Sequence, residues 1–173
     1  MCAESGVIQM PNWIKGTMKL RGKQKDIKRF FDEGLEPSSW FGEENKLDDQ
    51  VKDESEDDYL EYSFKDEPHV IGTRRMFIQD ETVTMYEEEG ICTVPIKQAW
   101  SFSADDHDEE KLIKIADKFH LDIKLYGIEC GVQFCQEILV LHGDEENTGV
   151  IRYNNVIQYE DWEWECPFPN MGG

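Results

Sequence analysis

Residues 103–126 read Ser103-Ala-Asp-Asp-His-Asp-Glu-Glu-Lys-Leu-Ile-Lys-Ile-Ala-Asp-Lys-Phe-His-Leu-Asp-Ile-Lys-Leu-Tyr126, and the spacing of the apolar residues changes part-way along. Leu112, Ile113, Ile115, Ala116 and Phe119 recur at helical spacing, whereas Leu121, Ile123 and Leu125 alternate with Asp122 and Lys124. The first pattern predicts an amphipathic helix and the second a strand buried on one face. Ser103 is the expected N-cap. Acids crowd the first turn, and Lys111, Lys114 and Lys118 follow toward the other end, as the helix dipole prefers. A helix with one apolar stripe that runs directly into a half-buried strand has to pack on a sheet.

The N-terminal part repeats this step in the opposite order. Residues 13–21 alternate Ile14, Met18 and Leu20 with Lys15, Thr17 and Lys19, and Gly22 breaks the strand. Over residues 23–35, Ile27, Phe30, Phe31 and Leu35 predict a second amphipathic helix, with Gly34 where such helices stop. Strand-like runs lie at 59–64, 70–72, 74–79, 82–87 and 91–102, then at 132–141 and 148–159. Pro95 marks the 91–102 run as an edge strand, a strand start or a bulge. The order β–α–(insert)–β–β–α–β predicts an α+β fold, a ferredoxin-like (split βαβ) sandwich with an acidic insert and a C-terminal β-hairpin extension. The expected division is an N-terminal extension at 1–10 ahead of Pro11, one domain at 11–159 with the acidic insert at 36–67, and a Pro- and Gly-rich tail at 160–173. Within the insert, residues 48–58 are the expected disordered part.

Thirty-eight acids against eighteen Lys and Arg give a net charge of −20 over 173 residues, unevenly spread. Residues 15–29 hold seven bases and one acid, Asp26, while residues 36–67 hold thirteen acids and three bases. Apolar residues at 39% and aromatics at 12% argue against a wholly disordered chain. No run of about eighteen apolar residues is present to span a membrane, and residues 1–11 have neither the basic nor the apolar region of a secretory signal. Cytoplasmic location is expected, with Cys2, Cys92, Cys130, Cys135 and Cys166 as reduced thiols rather than a disulfide frame.

Few chemistries fit the residue pattern. His69, His107, His120 and His142 and the five cysteines include no CxxC or HxxxH pair, so no metal is expected; Cys130 and Cys135 read as thiols on a strand pair. Asp105-Asp106-His107-Asp108 lacks the glycine and the closing glutamate of a calcium loop. GxSxG, HExxH and glycine-rich phosphate loops are absent, so neither catalytic residues nor a cofactor are expected. Sheet aromatics (Trp13, Phe77, Trp100, Phe102) beside Lys15–Arg29 would suit a single-stranded nucleic-acid module, but the molecular charge opposes phosphate and no RNP-like run exists.

Several short stretches, taken in order, resemble the YubB-type ferredoxin-like domain family of phage and plasmid proteins. These are Pro11-Asn12-Trp13, Gly72-Thr73-Arg74-Arg75, Gln98-Ala99-Trp100-Ser101, the helix-to-strand passage Ile115-Ala-Asp-Lys-Phe119 to Asp122–Tyr126, and Glu129-Cys-Gly-Val-Gln-Phe134. The resemblance implies a mobile-element origin and a ferredoxin-like fold; it implies no catalytic residues. Carboxylates on a folded scaffold can imitate the charge array of a duplex and occupy a basic channel. The expectation is therefore a non-enzymatic phage or prophage protein that binds and inhibits a host defence protein through that protein's basic nucleic-acid-binding surface. The partner-binding acids are expected to be Asp48, Asp49, Asp53, Glu54, Glu56, Asp57, Asp58, Asp105, Asp106, Asp108, Glu109 and Glu110. No direct nucleic acid or membrane partner is expected. The alternatives are the nucleic-acid module, using Lys15–Arg29 and the sheet aromatics, and a mobile-element protein with no inhibitory role.

Overall fold

The structure is a computed structural model that describes residues 12–37, 51–53, 59–64, 67–80, 82–86, 90–103 and 107–165. Its frame is an eight-stranded antiparallel sheet with two helices on one face. In chain order the elements are β1 (Trp13–Arg21), α1 (Gln24–Glu33), β2 (Leu35–Glu36), β3 (Val51–Asp53), β4 (Tyr59–Ser63), β5 (His69–Val70), β6 (Met76–Ile78), β7 (Thr82–Tyr86), β8 (Ile91–Ala99), α2 (Asp108–Phe119), β9 (Asp122–Glu129), β10 (Phe134–Leu141) and β11 (Val150–Gln158). The large sheet runs β11-β10-β9-β1-β8-β6-β5-β2, and a separate sheet runs β3-β4-β7. The protein is thus α+β, and the β10–β11 hairpin extends the main sheet beyond β9.

The alternation in β1 is what fixes its two faces. Ile14, Met18 and Leu20 point to the helices together with Cys92, Val94 and Ile96 of β8, Ile123 and Leu125 of β9, and Ile138 and Val140 of β10. Ile27 and Phe30 of α1 and Leu112, Ile115 and Phe119 of α2 close this core, with Phe30 and Phe119 meeting edge-on at 5.4 Å. The second sheet packs on α1, where Tyr62 stacks on Phe31 at 4.9 Å. Burial of large rings at both contacts supplies much of the apolar area that offsets chain ordering.

Four expectations change. The helix expected at Ser103 begins at Asp108, with His107 at its N-cap and no side-chain cap. The Ser103 hydroxyl instead accepts from the buried Gln136 Nε2 at 2.8 Å and from the half-buried Asn154 Nδ2 at 3.2 Å, so these amides hold it away from the helix end. Leu35, expected in α1, starts β2 once Gly34 has closed the helix through its N–H to the Phe30 carbonyl. Pro95 sits in a central strand between β1 and β6. Its carbonyl accepts from Gln79 N–H at 2.9 Å, so the position without an N–H faces the β6 side beyond Ile78 and the β1–β8 ladder loses nothing. Finally, residues 51–53, within the segment expected to be disordered, form a strand against Glu61–Ser63.

Candidate functional site

Acids enter the described structure in two ways. Asp108 and Glu109, expected to be displayed, are turned inward. Asp108 is only 3% exposed and pairs with Lys111 Nζ at 2.9 Å, a contact between residues one helical turn apart. Glu109 is half-buried and accepts from Asn154 Nδ2 at 2.9 Å, which ties α2 to β11. Both are therefore spent on the fold, while Glu110 remains exposed. Asp53 ends β3. Asp48, Asp49, Glu54, Glu56, Asp57, Asp58, Asp105 and Asp106 lie outside the described residues.

The register of the small sheet bears on the acids nonetheless. Tyr59 at the start of β4 pairs with Tyr86 at the end of β7. The chain reaches Tyr59 from Glu54-Ser-Glu-Asp-Asp58 and leaves Tyr86 into Glu87-Glu-Glu89. Two acidic stretches with seven carboxylates between them are attached to neighbouring strand ends. The described residues hold twenty-two Asp and Glu against sixteen Lys and Arg, so only six of the twenty net negative charges fall on them.

The sheet face turned away from the helices has the opposite bias. Lys15, Lys19 and Arg21 of β1, Lys97 of β8 and Lys124 of β9 share it with Trp13, Phe77 and Tyr126. Trp13 and Phe77 lie 6.1 Å apart, and the Lys97 ammonium sits 5.6 Å from the Trp13 ring and pairs with Glu67. Lys124 pairs with Glu137 at 2.6 Å and Arg21 with Asp122 at 2.5 Å. Of the aromatics expected on one face, Trp13 and Phe77 are brought together here; Phe102 is buried in the helix-side core and Trp100 stands apart. The basic stretch 15–29 is likewise divided, β1 carrying its first three bases to this face, while Lys23 caps α1 and Lys25, Lys28 and Arg29 lie on that helix.

Asp122 anchors the rim of that face. Burial raises its carboxyl pKa, but hydrogen bonds from Arg21 and His142 more than offset this and hold it below the ordinary carboxylate range. A depressed folded-state pKa stabilises the fold above the unfolded carboxylate pKa, and that stabilisation is lost as pH falls through the lower, folded value. Asp122→Asn is accordingly expected to lower the urea midpoint at pH 7 and to flatten the loss of stability as pH falls below the ordinary carboxylate range. Parallel pH profiles of the two proteins would contradict this.

Sequence reasoning missed a buried polar group beside α2. Gln136 Oε1 accepts from the Phe102 N–H at 2.9 Å, while its Nε2 donates to Ser103 Oγ and to Asn154 Oδ1 at 2.9 Å. Glu129 is also buried, and its oxygens accept from the Gly131 and Val132 N–H groups at 2.8 and 2.5 Å. The available signal was phase: both polar residues fall on the same alternation as the apolar core positions of their strands.

Of the thiols, Cys92 is buried, which pushes its pKa up to about 11, and Cys130 and Cys135 are half-buried. Among the described residues no three His, Cys, Asp or Glu side chains converge as metal ligands, and no helix is long and apolar enough to cross a membrane. In the segment beyond β11, Trp164 lies against Tyr159 while Trp162 is 94% exposed. No family model matches the chain, and neither a curated protein nor a solved structure matches it.

Proposed function

We propose that this protein is a non-enzymatic accessory protein of a phage or prophage that binds the basic nucleic-acid-binding surface of a host defence protein in the host cytoplasm. The observation that carries this is the pairing of Tyr59 with Tyr86, which joins the attachment points of Glu54–Asp58 and Glu87–Glu89 at one end of a sheet packed on α1. Carboxylates concentrated in this way set up a field that speeds association with a cationic groove and competes with phosphate there. The order β9-β1-β8-β6, antiparallel throughout with α1 following β1 and α2 following β8, supports a ferredoxin-like split βαβ core. That arrangement is in keeping with the YubB-type resemblance from which the mobile-element origin is taken.

The test is association with the host protein captured on the purified chain. Reversing Glu54, Glu56, Asp57 and Asp58 to lysine is expected to slow association by about tenfold or more at low salt and to flatten its salt dependence. An unchanged rate would reject this surface. A second function is favoured by one feature, the pairing of Trp13 and Phe77 beside Lys15, Lys19 and Lys97 on the open sheet face, which suits stacked bases of a single strand. Filter binding at low salt separates the two: retention of single-stranded DNA or RNA that Lys15→Glu with Lys19→Glu abolishes would favour the open face, and no retention the acidic surface.

A further inference from the structure

A cleft of about 520 Å³ opens on the helix side of the sheet, where Glu129 of β9 and Phe134 and Gln136 of β10 line it. Besides β11, which contributes Val156 and Gln158, four stretches far apart in the chain meet in it: Asn12 ahead of β1, Arg74 ahead of β6, Trp100-Ser101 after β8, and the Glu129–Phe134 turn between β9 and β10. They are stretches on which the family resemblance rests, yet the open sheet face and the acidic segments account for none of these groups.

Trp100 is the most informative of them. Its φ is +72°, a conformation that costs free energy for any side chain with a Cβ and more for a bulky one. It is fixed by the Trp100 N–H donating to the Asn12 carbonyl at 2.7 Å, and the indole is 43% exposed at the cleft mouth instead of being packed in the core. Strain that displays a large aromatic points to something that covers the ring. Val132, Phe134 and Val156 supply the rest of its apolar lining. The buried lining residues Glu129 and Gln136 are held by the hydrogen bonds already described, so this part of the lining is preorganised and its carboxylate is satisfied. Gly131 permits the close turn, because a Cβ there would lie 2.9 Å from Glu129 Oε1 and 3.0 Å from Asn12 Nδ2.

Three lining groups have no side-chain hydrogen-bond or ion-pair partner among the described residues: the Asn12 amide, the Ser101 hydroxyl and the Arg74 guanidinium. We infer that this cleft binds a nucleoside 5′-monophosphate, its base stacked on Trp100, its edge paired with Asn12 and its phosphate on Arg74. An indole face in an apolar lining takes a flat ring, and an amide offers the donor and acceptor that a base edge requires. A guanidinium matches phosphate in geometry and charge. With Arg74 as the one cation among the described lining residues of a chain carrying −20, a monophosphate is preferred over a triphosphate. The volume is within the range of small-ligand sites. None of this rests on the acidic-surface proposal.

The experiment is calorimetric titration of the full chain with AMP, GMP, CMP and UMP, with inorganic phosphate, ATP and a 5′-phosphorylated oligonucleotide as further arms. At least one monophosphate is expected to bind at one per chain with a dissociation constant below about 1 mM. Arg74→Gln should weaken it by about tenfold, as loss of a charge-assisted phosphate contact does. Trp100→Gly should abolish binding without lowering the melting temperature, because glycine accepts the positive φ. Equal affinity for the oligonucleotide end and the free nucleotide would make the nucleotide itself the ligand; much tighter oligonucleotide binding would make it the end of a strand. Failure of all four monophosphates, equal binding of inorganic phosphate, or unchanged binding by both variants would overturn the inference.

Discussion

Gly16→Ala is expected to remove more than about 4 kcal/mol of stability, enough to unfold much of the protein at 37 °C given the usual 5–15 kcal/mol of a domain. Gly16 lies in mid-β1, paired with Ile96 on one side and Gly127 on the other. Its φ is unremarkable, so the requirement is one of space. A Cβ there would stand 1.9 Å from the Tyr126 carbonyl oxygen and 2.6 Å from Gly127 Cα, both backbone atoms that cannot swing aside. Accommodating it means parting β1 from β9, the pair on which the two halves of the core meet. Gly127 provides the internal comparison: a Cβ there would meet Ile14 Cγ1 and the Phe102 ring at 2.7 Å, side chains that can shift. Gly127→Ala should therefore cost about 1–3 kcal/mol, the usual penalty of overpacking. Urea midpoints give both values. Equal, small shifts would mean that β1 and β9 do not approach as closely as the register requires.

Those two glycines also show where the sequence was legible and where it was not. β1 was read with its observed ends, Trp13 and Arg21, because alternation on a half-buried strand and a breaking glycine at position 22 are both local signals. The period change after Phe119 was equally plain, since α2 and β9 each bury one face against the same core. Tertiary context decided the rest. Ser103 has the chemistry of an N-cap, but the Gln136 and Asn154 amides claim its hydroxyl, and no sequence window spans residues that far apart. Pro95 is admissible in a central strand only because β6 ends at Ile78, a fact of strand length elsewhere. For the candidate site, composition located the acids but not their orientation. Asp108 and Glu110 are two residues apart on one helix, yet one is buried against Lys111 and the other is solvated. The cleft at Trp100 was present in the sequence only as separate short stretches.

Gln136→Leu is the second large effect, with an expected loss of about 3 kcal/mol. Leucine nearly matches the volume, so no cavity arises, and the change isolates hydrogen bonding. What is lost is asymmetric. The Ser103 oxygen keeps the donor on Asn154 Nδ2, and Asn154 keeps Glu109. The Phe102 N–H loses the Gln136 acceptor recorded for it and is left inside the core, where an unmade hydrogen bond costs about 1–3 kcal/mol. The second contribution is the freed Asn154 carbonyl, and because α2 is tied to β11 through the same amide, loosening it weakens that packing as well. Gln136→Glu separates the two contributions: a carboxylate still accepts from Phe102 but cannot donate to Ser103 or Asn154. It should fall between wild type and leucine at low pH, where the protonated acid regains a donor, and approach leucine at neutral pH, where a buried charge is added. Hydrogen exchange at the Phe102 amide reads the first contribution directly. Protection there that survives Gln136→Leu would show that this N–H has another acceptor, and the predicted destabilisation would then shrink to that of the Asn154 carbonyl alone.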